Sequence, residues 1–252
     1  MQDKKIVFLA SDCESSRWVY NALIKNFQFA AVIIEQPVSK KKLIKGRIKK
    51  IGILQVTGQI LFSALIVPWL KKKAIARKKE LLELYQLDNS RISHNNLLAV
   101  RSVNDDACKQ LLEQVQPDII IVNGTRIISK KILQCCQAVF INMHVGITPA
   151  YRGSHGGYWA LYNHDPENFG TTIHLVDTGV DTGAVLKQVF IEPAGKDNFT
   201  TYPILQVAIG IQALKEVIAE ALKEKYNTAL QAGKGKMYHQ PTIWQYLLHS
   251  TK

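Results

Sequence analysis

The chain has 252 residues, of which 47% are hydrophobic, and this composition is typical of a folded globular protein and excludes a disordered one. The formal net charge is +12, but thirteen of the 32 lysines and arginines lie between Val38 and Lys79, where no Asp or Glu occurs, which leaves 19 basic and 20 acidic residues elsewhere. Because the excess charge is local, the sequence favours one docking segment and disfavours nucleic acid as a partner.

The chain opens with a predicted strand, helix and strand. The apolar run in MQDKKIVFLASDCE is too short for a secretory signal and soon reaches Asp12 and Glu14, so no secretion is indicated. The segments KIVFLA and FAAVIIE are typical of short buried strands, and SSRWVYNALIKN between them has apolar residues at helical spacing. The four cysteines form no CxxC motif, which indicates a reducing, cytoplasmic location.

A basic segment with an apolar centre follows, and we predict a helical insertion over residues 38–97. Its uncharged run, Ile51–Leu70, just reaches the length of a membrane-spanning helix. Gln55, Gln59 and Ser63 recur as a polar stripe on that run, which disfavours a spanning helix. A helix that lies in the plane of the membrane surface fits this pattern better.

Residues 40–79 therefore have an anionic membrane surface as a candidate partner, because each lysine or arginine is attracted to acidic lipid headgroups. This interpretation places a cytoplasmic protein on the inner face of the membrane. The alternative is that the same helix packs its apolar face on the body of the protein, or on a second copy in a homo-oligomer.

After the insertion the alternation of strands and helices resumes. Predicted strands lie at LLAVRSV, DIIIVNG and AVFINMHV, with helices at NDDACKQLLEQVQ and near SKKILQCC. A helix at GGYWALYN, a strand pair at FGTTIHLVD and AVLKQVFIEP, and a long helix from Ile204 to Lys225 follow. This order predicts an α/β fold of Rossmann-like type, with a mostly parallel central sheet flanked by helices and one domain over residues 1–252.

Two polar side chains lie near the end of a predicted strand in INMHVGITPAYRG. Residues two apart in a strand point to the same face, so Asn142 and His144 share one side of the sheet. Ligands of open α/β sheets bind outside the carboxyl ends of the strands, and the pair lies at such an end. A hydrogen-bonded core histidine is the competing structural interpretation.

A second polar cluster lies in FGTTIHLVDTGVDTGAVL, which contains His174 and two Asp-Thr-Gly triplets that begin at Asp177 and Asp181. Triplets this close in sequence cannot supply the two lobes of an aspartic protease. A metal site is disfavoured because no paired ligand spacing supports it. The glycines favour a tight loop that brings a carboxylate against a strand end, and turn stabilisation alone is the alternative.

The order of DIIIVNG, INMH, PAYRG and GTTIHLVDTGVDTG resembles the catalytic domain of the folate-dependent formyltransferases, the superfamily of glycinamide ribonucleotide, methionyl-tRNA and nucleotide-sugar formyltransferases. The resemblance is strong over Pro117–Pro193 and weaker over the opening strand, helix and strand, and Val38–Leu97 departs from the shorter members of the family. It implies a Rossmann-like formyltransferase fold and 10-formyltetrahydrofolate as co-substrate, with no metal. It places the catalytic group on Asn142, His144 and Asp181.

The same resemblance implies that the folate donor binds along one strand end and along the loop of the two Asp-Thr-Gly triplets. Asp177 is expected to shape that loop and His174 to support the site structurally. The residues expected to bind the donor are Val122, Asn123, Gly124, Thr125, Arg126, Asp177, Gly179 and Gly183.

The chemistry of formyl transfer explains why these residue types belong together. Attack by an amine gives a tetrahedral intermediate whose oxygen gains negative charge, and each preorganised donor at that oxygen can contribute about 3 to 4 kcal/mol. Asn142 and a protonated His144 are expected to be these donors. Asp181 is expected to favour the imidazolium form of His144 and to help relay a proton from the amine.

The expected acceptor is an amine on a small molecule. The first loop, SDCESS, has no glycine to hold a phosphate, which disfavours glycinamide ribonucleotide, and little sequence follows the last long predicted helix for a tRNA-binding module. The resemblance of HVGITPAYRGSHGGYWAL to sugar-modifying members favours a nucleotide-linked or lipid-linked amino sugar. The alternatives are a 10-formyltetrahydrofolate hydrolase, a methionyl-tRNA formyltransferase-like enzyme and a non-catalytic binding module, and the intact triad disfavours the last.

Overall fold

The structure, a computed structural model, describes residues 4–233 and 235–250, so the two ends of the predicted single domain lie outside the described residues. The strands are β1 (Ile6–Ser11), β2 (Phe29–Glu35), β3 (Leu97–Val100), β4 (Ile119–Asn123), β5 (Val139–His144), β6 (Tyr151–Gly153), β7 (Gly170–Leu175), β8 (Val185–Phe190) and β9 (Lys236–Tyr238). The α-helices are α1 (Glu14–Leu23), α2 (Lys40–Ile51), α3 (Ile53–Leu61), α4 (Val67–Lys73), α5 (Ile75–Leu84), α6 (Asp106–Val115), α7 (Lys130–Leu133), α8 (Gly156–Tyr162), α9 (Tyr202–Leu222) and α10 (Ile243–Ser250).

The central sheet has seven strands in the order β3-β2-β1-β4-β5-β7-β8. Neighbouring strands from β3 to β5 are parallel, and β7 and β8 add an antiparallel edge. The prediction of an α/β fold with a mostly parallel sheet is therefore confirmed. The strand order reverses between β1 and β4, which opens a crevice at the carboxyl ends of these strands.

The sheet forms because its central strands are apolar on both faces. In β1, Phe8 belongs to a core cluster that includes residues of α1 and α9, whereas Val7 and Leu9 belong to a cluster with residues of α6 and α7. Burying a side chain of this size contributes about 1.5 to 3 kcal/mol relative to leaving it exposed. The two helical layers hold the sheet rigid, so the strand ends can position polar side chains precisely.

The insertion consists of α2 to α5, and a π-helical turn at Phe62–Ile66 joins α3 to α4. One side of α3 and the π-helical turn packs on the body of the protein through Gly58, Gln59 and Phe62. A Cβ atom on Gly58 would lie 2.3 Å from the ring of Trp244 in α10, which shows how closely these helices approach. The side-chain amide of Gln59 donates to the Gln240 carbonyl at 2.9 Å. Of the predicted polar stripe, Gln59 is therefore buried against the protein, whereas Gln55 and Ser63 stay exposed.

The opposite side of the insertion leaves large apolar side chains exposed, and we call these residues the outer face: Ile53, Leu54, Leu61, Leu65 and Trp69. Within the described residues, Ile53–Lys73 forms a helix that is long and apolar enough to cross a membrane by length and composition alone. Phe62, by contrast, is fully buried against Phe199. The alternative in which the whole apolar stripe packs on the body therefore describes only part of the helix.

One ion pair anchors the insertion to the segment before α9. Arg77 donates from Nε to Asp197 Oδ1 at 2.8 Å and from Nη2 to Oδ2 at 2.9 Å, and the Asp197 side chain is fully buried. Burial alone raises the pKa of Asp197, but Arg77, the Thr201 hydroxyl and the Ala194 N–H together hold the pKa below its ordinary value. The carboxylate is therefore ionised at neutral pH and depends on its partners.

Replacing Arg77 by Ala is expected to lower the free energy of unfolding by about 3 kcal/mol at neutral pH, because it leaves a buried carboxylate without its cation. Since the pKa of Asp197 is lowered in the folded state, this stabilisation is present above the unfolded pKa of about 4 and is lost as the pH falls through the folded value. Urea denaturation at several pH values measures both effects.

The exposed ion pair of Lys131 and Asp106 supplies the matched control. Replacing Lys131 by Ala removes a surface pair and is expected to cost less than about 1 kcal/mol. An Arg77→Ala protein as stable as the Lys131→Ala protein would show that the Arg77 pair does not anchor the insertion.

Candidate active site

The polar side chains at the end of β5 meet a histidine from the antiparallel neighbour β7. Asn142 lies directly opposite His174 in the register of the two strands, so their side chains share one face of the sheet. The Asn142 amide Nδ2 lies 3.1 Å from His174 Nε2. His144, two residues further along β5, points to the same face. Sequence alternation predicted the pairing of Asn142 and His144 but not the contact with His174.

Asp181 reaches both histidines from the loop between β7 and β8. Its backbone is in the left-handed region, with φ of 53°, and its Oδ2 accepts a hydrogen bond from the Gly153 N–H at 2.9 Å. Oδ2 lies 3.4 Å from His144 Nδ1, and Oδ1 lies 3.6 Å from His174 Nε2. The carboxylate thus stands between two imidazole rings.

The hydrogen bonds fix where the protons of the two histidines lie. His144 Nε2 is 2.8 Å from the Tyr151 carbonyl, and because a carbonyl only accepts, this nitrogen carries a hydrogen. His174 Nδ1 donates in the same way to the Leu175 carbonyl at 2.7 Å, and its Nε2 lies between the Asn142 amide and the Asp181 carboxylate. His144 Nε2 is therefore engaged by the Tyr151 carbonyl, and Nδ1 is the nitrogen that faces Asp181.

The electrostatics of the pair differ from the expectation of a protonated His144. Burial lowers the pKa of His144, and this outweighs the opposing influence of Asp181 and the Tyr151 carbonyl. Burial alone raises the pKa of Asp181, but His174, His144 and the Gly153 N–H together lower it below its ordinary value. An ionised carboxylate next to a neutral imidazole can accept a proton at neutral pH.

The segment after β4 forms one wall of the site. Gly124 has φ of 66°, and a Cβ there would lie 3.1 Å from the Ser11 hydroxyl, so the backbone passes close to the first loop. Arg126 turns its guanidinium away to the buried Glu35, with 2.7 Å from Nε to Oε2. What this wall offers a ligand is therefore mainly backbone together with the side chains of Asn123 and Thr125.

The loop of the two Asp-Thr-Gly triplets forms the opposite wall. Asp177 Oδ1 accepts from the Gly179 N–H at 2.9 Å and from the Thr182 hydroxyl at 2.7 Å, so this carboxylate shapes the loop. A Cβ on Gly183 would lie 1.8 Å from the Leu175 carbonyl oxygen. The glycine allows the loop to return tightly to β7, which places Asp181 over the strand end.

These elements enclose a cavity of about 760 Å³. Of the residues predicted for the site, only Gly183 does not line the cavity, since it packs against Leu175 at the end of β7. The predicted residues that do line it are Asn142, His144, Asp181, Val122, Asn123, Gly124, Thr125, Arg126, Asp177 and Gly179. Over residues 4–233 and 235–250, no three His, Cys, Asp or Glu side chains are placed to hold a metal ion.

Residues near the C-terminal end of the chain close the cavity on one side, and the sequence did not predict them. Met237, Tyr238 and His239 line it because β9 pairs with β6 and is thereby carried to the end of β5. Lys50 reaches the cavity from the end of α2. Strands as short as β6 and β9 carry too few residues for a detectable alternation, so no pattern in the sequence indicated this contribution.

The known proteins to which this chain is similar in sequence are formyltransferases. A family model described as "Formyl transferase" matches residues 4–202. A methionyl-tRNA formyltransferase from Chlorobium chlorochromatii is 28% identical over 132 residues, which are 52% of this chain and 42% of that enzyme. The matched region therefore spans less than half the length of that curated relative.

Solved structures share the fold at low identity. A phosphoribosylglycinamide formyltransferase from Streptococcus pneumoniae superposes with a TM-score of 0.55 and 21% identity, over 86% of this chain and 97% of that one. An N-formyltransferase from Helicobacter canadensis, in complex with folinic acid and dTDP-3-aminofucose, superposes with a TM-score of 0.57 and 15% identity, over 92% and 70% of the two chains. The likeness extends over nearly the whole chain.

Proposed function

Because this chain belongs to the formyl transferase family, we propose that it moves a formyl group from 10-formyltetrahydrofolate to a primary amine at the site of Asn142, His144 and Asp181. The observation that carries the proposal is the convergence of an amide, two imidazoles and an ionised carboxylate at the carboxyl end of β5. The resemblance seen in the sequence pointed to the same family, and that prediction is confirmed.

The residues of the site suit an amine nucleophile. Asp181 and His144 together accept the proton that the amine loses as it attacks, because protonation of His144 Nδ1 creates an ion pair with the carboxylate 3.4 Å away. The same proton then passes to the nitrogen of tetrahydrofolate that leaves when the bond from this nitrogen to the formyl carbon breaks. The Asn142 amide donates to the oxygen that gains negative charge. His174 holds that amide in place from the neighbouring strand.

The walls of the cavity fit the folate donor. The donor supplies an activated formyl group, which is the only part of the chemistry that the residues of this chain cannot provide. The backbone of Val122–Arg126 offers hydrogen-bonding groups to a flat heterocycle, and the Asp177–Gly183 loop covers the opposite side. A cavity of about 760 Å³ is large enough for a ligand of this size.

For the acceptor, we propose an amino sugar, linked either to a nucleotide or to a lipid. Support comes from the Helicobacter canadensis enzyme, whose complex contains an amino sugar nucleotide, and from the first loop, which lacks a phosphate-binding glycine. Methionyl-tRNA is the second candidate, because the curated relatives carry that name, although the match to the Chlorobium enzyme leaves more than half of its length uncovered.

The test is to incubate the protein with 10-formyltetrahydrofolate and a panel of amines, namely nucleotide-linked amino sugars, lipid-linked amino sugars and methionyl-tRNA. Mass spectrometry is expected to show one added formyl group on one sugar class. Formate release that needs no amine would favour the hydrolase, and formylation of methionyl-tRNA alone would overturn the sugar proposal.

For the location of the enzyme, we propose that the outer face of the insertion rests on an anionic membrane on the cytoplasmic side. The outer face lies between two blocks of lysine and arginine, so apolar and cationic groups are presented together. Lys73 also stands over the ring of Trp69, 3.8 Å from its centroid, at the edge of this face.

We expect the protein to co-sediment with anionic vesicles at low salt and to dissociate as salt screens the lysines. Changing Leu54 and Leu65 to Gln is expected to abolish this binding, because their side chains supply apolar area to the headgroup region. Phe62 is unsuitable for this test because it is buried.

Leu230→Gln is the matched control, since Leu230 is 89% exposed and lies far along the chain from the insertion. It is expected to leave vesicle binding unchanged. Two results together would assign the outer face to a second copy instead. The wild-type protein would stay in solution with anionic vesicles, and size-exclusion chromatography would show that an oligomer of the wild type is lost in the Leu54/Leu65 double variant.

A further inference from the structure

A second cavity, of about 690 Å³, lies between α1, the junction of α4 with α5, and the start of α9. We propose that this cavity binds the phosphate and the first part of the hydrocarbon chain of a lipid-phosphate-linked amino sugar. The inference rests on the proposed formyl transfer and deepens it, because it selects a lipid carrier over a nucleotide carrier.

The second cavity adjoins the catalytic cavity. Ser15 and Pro203 line both of them, so the two spaces meet at the first turn of α1 and the first turn of α9. A ligand whose phosphate lies in the second cavity can therefore extend its sugar past these residues toward Asp181. The opposite wall belongs to the insertion, through residues of α4 and α5 and the junction between them.

The charge of the second cavity suits a phosphate. Lys71, Lys78 and Lys79 line it, against the single carboxylate of Glu14. Lys78 is paired with Glu14 at 2.8 Å and Lys79 lies 3.7 Å from Glu83, so that within the described residues Lys71 is the lysine of this lining that has no acidic partner. The balance is positive, and ammonium groups of this kind bind phosphate oxygens through charge-assisted hydrogen bonds.

The remaining lining is largely apolar and includes one unpaired donor. Ala74, Ile75, Leu82 and Ile204 line the cavity together with Trp18. Trp18 is 4% exposed, and its indole N–H has no acceptor among the described residues. A nucleobase needs several edge partners, which this apolar lining does not offer.

The second cavity also leads outward to the outer face. Ile75 lines it and is 66% exposed, and it follows α4, which carries Trp69 of the outer face. A hydrocarbon chain that leaves the cavity past Ile75 emerges on the surface proposed to meet the membrane. The catalytic site, the second cavity and the outer face thus follow one another in the same order as the sugar, the phosphate and the hydrocarbon chain of such a ligand.

The experiment measures binding of farnesyl phosphate, a soluble prenyl phosphate, by isothermal titration calorimetry without folate. Farnesol, inorganic phosphate and uridine monophosphate are the comparison ligands. We expect farnesyl phosphate to bind at least about tenfold more tightly than each of them, because only this ligand satisfies both the lysines and the apolar walls.

Two exposed positions test the site without disturbing the core. Lys71→Glu and Ile75→Glu are each expected to weaken farnesyl phosphate binding by about tenfold or more. Lys72→Glu is the matched control, since Lys72 is adjacent but does not line the cavity, and it is expected to leave binding unchanged. Circular dichroism verifies that all three variants fold.

The outcomes separate this inference from the proposed function. Binding that is unchanged in Lys71→Glu and Ile75→Glu, or uridine monophosphate that binds as tightly as farnesyl phosphate, overturns the inference, even if nucleotide-linked sugars are formylated. Inorganic phosphate that binds as tightly as farnesyl phosphate reduces the cavity to an anion site and also overturns it. An Asp181→Asn protein is expected to bind farnesyl phosphate normally while losing transfer, which supports both proposals.

Discussion

Replacing His144 by Ala, or Asp181 by Asn, is expected to lower kcat for formyl transfer by about two to three orders of magnitude. Each change removes one half of the pair that accepts the amine proton, and Asn142→Ala, which removes a donor to the developing oxyanion, is expected to act similarly. The sheet and its two core clusters do not depend on these side chains, so the proteins are expected to stay folded. Steady-state kinetics and circular dichroism measure the two properties separately.

Asp177→Asn is the matched control for these substitutions. Its carboxylate accepts hydrogen bonds from the Gly179 N–H and the Thr182 hydroxyl within its own loop. Among the described residues it forms no ion pair with either histidine. The loss is therefore expected to be much smaller than for Asp181→Asn. Transfer by His144→Ala that stayed within a few fold of the wild type would contradict the mechanism.

Gly183→Ala is expected to reduce kcat/KM by about a hundredfold although Gly183 does not line the cavity. The new Cβ would lie 1.8 Å from the Leu175 carbonyl oxygen and 2.7 Å from its carbon, and backbone cannot yield as a flexible side chain can. The loop must therefore move away from β7, and the Asp181 carboxylate moves with it. Kinetics with varied folate concentration measure the loss in both binding and turnover.

Gly195→Ala provides the control for this change, since a Cβ at that position meets nothing within 4 Å. It is expected to leave activity and thermal stability unchanged. Wild-type activity in Gly183→Ala would show that the loop need not return tightly to β7, and the placement of Asp181 would then require another explanation.

The strands of the central sheet could be predicted because their physics is local. Apolar runs such as FAAVIIE and DIIIVNG alternate along the chain with segments of helical periodicity. The structure places β2 and β4 within these two runs. The pairing of Asn142 and His144 follows from strand alternation alone. Only the family resemblance implied that Asp181 joins them, since the loop that carries Asp181, with its glycines and its single positive-φ residue, has no periodic pattern.

The remaining features depend on contacts between distant parts of the chain. His174 joins Asn142 through the register of two antiparallel strands, and Tyr151 engages His144 because β6 passes behind the site. No sequence pattern specifies either contact. The insertion shows the same limit. Its amphipathic pattern predicted a helix, but only packing against α10 and the segment before it determines that Gln59 faces inward.

The most direct measurement follows an isotopically labelled formyl group from 10-formyltetrahydrofolate in a single turnover with wild-type and Asp181→Asn protein. We expect the label to appear as an amide on the amino-sugar acceptor, one formyl group for each tetrahydrofolate released, and Asp181→Asn to slow its appearance by about two orders of magnitude or more. Label that appears as free formate at the same rate with and without an amine would contradict formyl transfer.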